Sequence, residues 1–184
     1  MITDMATYPR WRYYPASDVP PSWVGDLTGV FSGVKDQIDS SSVQGAMSDG
    51  ILAALCPGLI GLGYQVETSK KAIDKIERPV LFGDEGVPRV HYQIDAWLPE
   101  SGVVVEVEAG RGWMGNAFYR DLVRTSLIVG ARYLAIGMMD RYIYSSGGKK
   151  VTGHDYENSR DQLDAIYASG RLQLPFDGVL LIGY

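Results

Sequence analysis

Asp95, Glu106 and Glu108 are the residues of this chain whose types and spacing can do chemistry together. Residues 90–98 read as one strand, Pro99-Glu100-Ser101-Gly102 as a turn, and 103–108 as the returning strand of a hairpin. Pairing Leu98 with Val103 sets Ala96 opposite Val105 and Ile94 opposite Val107. That is a continuous apolar face, because strand side chains alternate with period two. The other face sets Asp95 opposite Glu106 and Gln93 opposite Glu108. Side chains opposed in this way sit about 5 Å apart, where like charges are destabilising. A divalent cation removes the repulsion, since hard cations take oxygen ligands. The competing reading is a set of solvated acids on an exposed sheet face.

The elements that must hold these acids follow from periodicity and breakers. Helices are expected over about 25–37 and 42–56, the second ended by Cys56-Pro57-Gly58. A strand starts in Gly63-Tyr64-Gln65-Val66-Glu67, and Arg78-Pro79-Val80-Leu81-Phe82 is a second short one. After the hairpin, residues 109–115 form a loop, and Asn116 can cap a helix running to about Ile128. Residues 133–139 are apolar on both faces, which predicts a buried parallel strand. Residues 144–156 read as a loop, 157–168 as a helix and 178–183 as a last strand. The expected fold is α/β, a mixed β-sheet flanked by helices.

Length and composition bound the class. With 184 residues the chain is read as one domain, 1–184, in which residues 1–24, rich in Pro, Tyr and Trp, form an irregular arm. Apolar residues at 46% and charged residues at 21% fit an ordinary globular protein. No apolar run approaches the ~20 residues of a membrane span, and the N-terminus carries no signal-peptide core, so a cytoplasmic location is expected. The single cysteine, Cys56, excludes an internal disulfide framework. A net charge of −5 argues against a surface built wholly for nucleic acid but leaves room for local basic patches.

An acid on one strand, E-x-E or E-x-K on the next after a tight turn, then a helix and a buried strand, resembles the restriction-endonuclease-like nucleases with their PD-(D/E)XK signature. Ile94-Asp95 matches the first half without the proline. Glu106-Val107-Glu108 matches the second half, with Glu where most members carry Lys. Asp49, in the helix before the first core strand, matches a further acid of the family. The resemblance spans roughly 45–140 and implies an αβββαβ core and Mg²⁺-dependent cleavage of double-stranded DNA, with Mn²⁺ as a substitute. It implies Asp95, Glu106, the Val107 carbonyl and Asp49 as metal ligands, and Glu108 as proton acceptor or second-metal ligand. A fold that has lost catalysis but binds DNA or acts as a scaffold is the alternative, raised by the missing Lys. A short chain with one site cuts both strands most simply as a two-fold homodimer, for which residues 8–14 are a candidate interface.

Other motifs compete. Gly110-Arg111-Gly112-Trp113-Met114-Gly115 is a formal G-x-G-x-x-G between strand and helix, the context of a nucleotide-binding enzyme. The acids on the preceding strand, the antiparallel partner before it and the bulk of Trp113 and Met114 count against that reading. Asn116, Arg120 and Arg124 recur at helical spacing on one face. With Arg111 they are candidates for binding substrate phosphate, or else form a solvated face with Asp121 or Glu108. Lys70, Lys71, Lys75 and Arg78 form a basic stretch diluted by Asp74 and Glu77.

Overall fold

The computed structural model describes residues 8–43, 45, 47–110 and 112–184. Six strands form a central mixed sheet. Taken along the chain, β1 is Arg10–Tyr14, followed by helices α1 (Ser22–Gly33), α2 (Lys35–Ile38) and α3 (Ser48–Gly61). Strand β2 is Gln65–Val66 and is followed by two strands outside the central sheet, β3 (Ile76–Phe82) and β4 (Pro88–Ile94). Then come β5 (Ala96–Leu98), β6 (Val103–Glu108), α4 (Ala117–Ser126) and β7 (Tyr133–Met138). Another outlying pair, β8 (Tyr142–Ser146) and β9 (Lys149–Gly153), precedes α5 (Asp155–Ser169) and β10 (Gly178–Gly183). The sheet order is β1-β10-β7-β6-β5-β2, with β10, β7 and β6 mutually parallel. Among elements that build this sheet, α3-β2-β5-β6-α4-β7 is the expected αβββαβ core.

Alternation along β6 builds two cores. Val103, Val105 and Val107 point to the side covered by α1 and α3, against Leu27, Phe31, Leu55 and Leu59. Val104 points to the other side, where Phe118 and Leu122 of α4 and Leu163 of α5 pack. Strands β7 and β10 are buried on both faces, as a parallel central position requires.

Four expectations are corrected. The irregular arm contains an edge strand, because Arg10–Tyr14 pairs antiparallel with β10 in register Arg10↔Gly183. Tyr13 and Tyr14 are buried within their own sheet, while Trp11 stays exposed on this edge strand. Pro57 does not end α3. Its side of the helix is exposed, where solvent can serve the Ala53 carbonyl that its missing N–H leaves, while Leu55 and Leu59 bury completely on the sheet side. That packing outweighs a penalty of about 3 kcal/mol for an interior proline.

The loop at 144–156 is mostly the β8–β9 ribbon, closed by Gly147-Gly148 at φ 56° and 76°. Two successive left-handed glycines are the signal for a two-residue hairpin turn. The long first strand of the acidic hairpin is two strands. Leu98↔Val103 and Ala96↔Val105 hold as drawn, but at Asp95 the chain bends out of the sheet. Beyond the bend Ile94 pairs with Ile76 and Gln93 with Glu77 in the β3–β4 ribbon, so Gln93 does not oppose Glu108.

Candidate active site

The bend at Asp95 has a chemical cause. Its Oδ2 accepts the Val107 N–H at 2.8 Å, filling the place of a ladder acceptor. Its carbonyl accepts the Glu67 N–H at 2.8 Å from the β2 side. Asp95 is thus gripped between two strands while the chain turns away toward β4. Ile94 consequently joins the α4-side core rather than the α3-side core with Val107.

Asp95, Glu106, Val107 and Glu108 line one polar cleft of about 240 Å³ at the C-terminal end of β6. Asp49, Ser48, Glu67, Lys70 and Lys75 close one side, and Gln93, Arg120 and Arg124 the other. Asp49 sits in the first turn of α3, with its side chain 61% exposed and paired to Lys70 at 2.8 Å. It stands on the rim with its own counter-ion. Glu67 and Lys75 form a half-buried ion pair beside Asp95.

Helix α4 supplies the cationic wall. Its spacing places Arg120 and Arg124 one turn apart. Arg120 Nε donates to Asp121 Oδ1 at 2.9 Å, and its Nη2 pairs with the Glu108 carboxylate. Arg124 Nη2 donates to the Gln93 carbonyl at 3.3 Å and lies over the Tyr92 ring. Asn116 occupies the cap position of α4 in a left-handed conformation, φ 56°, but its side chain makes no cap bond and does not line the cleft. Arg111 lies outside the described residues.

Burial and crowding act together on the acids. Asp95 is pushed up to about 6, first by burial, then by Glu67 and Asp121, against the opposing Val107 N–H. Glu106 is held well above the usual carboxylate range by burial, then by Asp95, Asp121 and Glu108. Glu108 is raised to about 7 by burial and by Asp121, with Arg120 pulling the other way. Asp121 is only 2% exposed, and its Oδ2 takes no hydrogen-bond donor among the described residues. Burial also raises Asp121, with Arg120 opposing the shift.

Sequence reasoning named the acids of β6 and the two arginines that line the cleft, but missed Glu67, Lys75 and the depth of Asp121. Asp121 was legible only as an ion-pair partner, because its immediate neighbour Arg120 draws attention to charge rather than burial. Glu67 and Lys75 meet across a turn whose path no local pattern fixes.

Two amides of the Gly110–Gly115 loop, those of Gly110 and Trp113, are engaged within the protein. Gly110 N–H points at Met139 Sδ, Trp113 N–H donates to Asp155 Oδ2, and the Asn116 and Phe118 amides bond within the loop. A Cβ on Gly112 would approach Met138 Cε at 2.9 Å and Glu108 Cβ at 3.1 Å. The glycine there serves close packing.

No family model matches the sequence, and no curated protein matches it. Among solved structures the chain is similar to the restriction endonuclease BGLII in a complex with a DNA 16-mer. The TM-score is 0.55 over 96% of this chain and 76% of that one, at 14% identity. The fold is restriction-endonuclease-like. At that identity the likeness carries the fold alone, and the acidic strand must be judged on its own geometry. Among the described residues no helix is long and apolar enough to cross a membrane.

The donor set is consistent with a hard cation. Asp95 and Glu106 form no ion pair with Lys, Arg or His among the described residues, although they face one another in the cleft. No three His, Cys, Asp or Glu side chains cluster as a ready metal centre among the described residues. Mg²⁺ does not require one, since it keeps several waters and is bound through one or two carboxylates.

Proposed function

We propose that this protein is a Mg²⁺-dependent DNA endonuclease acting on double-stranded DNA. One observation carries the reading. Asp95 and Glu106, two carboxylates without a basic ion-pair partner among the described residues, share a polar cleft with Glu108 and two helix-borne arginines, in a fold similar to a DNA-bound restriction endonuclease. Asp95 and Glu106 would hold the cation, with the Val107 carbonyl as a further oxygen, and Asp49 stands on the rim of the same cleft. Bound there, a divalent cation supplies Lewis-acid polarisation of a phosphoryl oxygen and a more acidic water.

The chain's own groups do the rest. Glu108, with its pKa near 7, is suited to take the proton of an attacking water at neutral pH. As the water oxygen bonds phosphorus, the ester oxygen leaves and takes its proton from solvent. Asp121 sits behind Glu108 and keeps its affinity for that proton high. Arg120 and Arg124 present planar donors to phosphate oxygens, which their fork geometry matches. Arg120 must release Glu108 to do so, and the phosphate is the competing anion.

A second reading rests on that same contact. Glu108 stands where an ammonium is usual in the family it resembles, and it is neutralised internally by Arg120. A DNA-binding protein that has lost cleavage would keep such a pair. Incubation of supercoiled plasmid with Mg²⁺ or Mn²⁺, with Glu106→Gln as control, separates the two. Metal-dependent cutting abolished by Glu106→Gln supports the nuclease. Tight binding without cutting supports the second reading.

Both strands are cut most simply by two clefts, hence by a second copy of the chain in two-fold symmetry. Tyr119 and Val123 on α4 and Leu127 at its C-terminal cap recur at helical spacing and are all exposed, an apolar stripe beside the arginine face. That stripe is the proposed contact between copies.

A further inference from the structure

Residues 141–154 contain Arg141, Lys149, Lys150 and His154 and no carboxylate, within a chain of net charge −5. They form the β8–β9 ribbon, whose strands pair only with each other. Arg141, Lys149 and Lys150 are exposed and make no ion pair among the described residues. The β3–β4 ribbon differs. Its cations Arg78 and Arg89 are offset by Glu77, Asp84 and Glu85, and it packs Ile76, Val80, Tyr92 and Ile94 onto the core.

The root of the β8–β9 ribbon is fixed at the acidic end of the sheet. Met138, the last residue of β7, is in register with Glu108. The Tyr142 ring lies over Gly110, where a Cβ would meet it at 3.5 Å. Arg141 N–H donates to Ser40 Oγ at 3.1 Å, and Asp155 at the far end of the ribbon accepts the Trp113 N–H. Tyr142 and Tyr144 stack at 5.6 Å on the half-buried inner face with Val151. The outer face presents Ile143, Thr152, Ser145 and Lys150 to solvent, and Lys149 follows the glycine turn at the tip.

We propose that the β8–β9 ribbon enters the major groove of duplex DNA and is the sequence-reading element of this protein. The inference rests on the DNA-directed reading above, though not on catalysis. A two-stranded ribbon fits a groove about 12 Å wide and 8.5 Å deep. Arms of five residues reach about 17 Å at 3.4 Å per residue, enough to touch the groove floor from a rooted base. The outer face offers hydroxyl donors and acceptors from Ser145 and Thr152, an ammonium from Lys150 and an apolar contact from Ile143. These are side-chain types that read base edges, while Lys149 at the tip suits a phosphate. Single-stranded nucleic acid is disfavoured, because the two tyrosine rings that would stack on bases are stacked on each other.

The test measures binding in EDTA, so that cleavage plays no part. The probe is a fluorescent mixed-sequence duplex about three helical turns long, with the matching single strand as competitor, over a salt series. The full chain is compared with Lys149→Ala/Lys150→Ala, two exposed positions that leave the fold intact. The double variant is expected to bind the duplex more weakly. Its log affinity against log salt should be shallower by about 0.9 for each phosphate that the lysines no longer neutralise. Parental affinity and slope in the variant overturn the proposal, as does a parent that prefers the single strand or does not bind the duplex. A parent that binds the duplex through the ribbon but never cuts plasmid with Mg²⁺ or Mn²⁺ leaves this proposal standing and removes the nuclease reading.

Discussion

Burial and three neighbouring acids all oppose the ionisation of Glu106. Glu106→Gln removes the ionisable group at nearly constant volume. The metal-free variant is expected to be as stable as the parent or more so, while any metal-dependent cleavage falls at least about a hundredfold. Urea midpoints in EDTA and plasmid turnover check the two halves. The pH dependence has a definite sign. Asp95, Glu106, Glu108 and Asp121 all have folded pKa values above their unfolded ones, so the native state holds more protons than the unfolded state. Their stabilising contribution is full below the ordinary carboxylate range of about 4; that of Asp95 and Glu108 is lost as pH rises through about 6 to 7, and Glu106 and Asp121 act in the same direction. The apo protein should therefore have a lower urea midpoint at about pH 8 than at about pH 5, and Glu106→Gln should flatten the difference. A midpoint that climbs across that window in EDTA contradicts the assigned environment of the acids.

At the scale of elements, two positions isolate backbone effects from chemistry. Pro57 lies inside α3 on an exposed turn, so Pro57→Ala restores a helical N–H without disturbing the core. It should raise stability by about 1–3 kcal/mol in denaturant unfolding. Gly102, in the β5–β6 turn, has φ 71°, and a Cβ there would stand 2.6 Å from the Gly130 carbonyl oxygen. Gly102→Ala should cost about 1–3 kcal/mol and loosen the strand that carries the acids. The same turn shows what the sequence discloses. Pro99-Glu100-Ser101-Gly102 fixes the register of Leu98 with Val103, because turn chemistry and alternation agree over those few residues. The register fails at Asp95, where a side chain replaces a backbone acceptor and a distant strand, Ile76–Phe82, captures Ile94. No period-two pattern records such a competition. The β8–β9 ribbon was legible in Gly147-Gly148, but its polar tip and short apolar content made it read as loop.

At the scale of the molecule, the cleft and the α4 stripe make separable predictions. Millimolar Mn²⁺ should raise the melting temperature of the parent and leave Asp95→Asn/Glu106→Gln unmoved, since a ligand that binds only the native state stabilises it. Sedimentation velocity should show a dimer that Val123→Glu converts to monomer, because the charge would be buried unpaired at a two-fold contact. Persistence of the dimer in that variant would place the contact elsewhere.

The pairing of β1 with β10 bears on how the chain is made. Among the described residues Arg10–Tyr14 hydrogen-bonds in the sheet to Gly178–Gly183, so this strand has no sheet partner until β10 has been synthesised. Loop closure over such a separation comes late, and pairings of this kind slow folding. During synthesis, Arg10–Tyr14 is an aromatic segment with open backbone groups, the kind of edge that recruits chaperones or other nascent chains. Ribosome-bound chains arrested before residue 178 should stay open to proteolysis around residues 10–14, while full-length released chains are protected there.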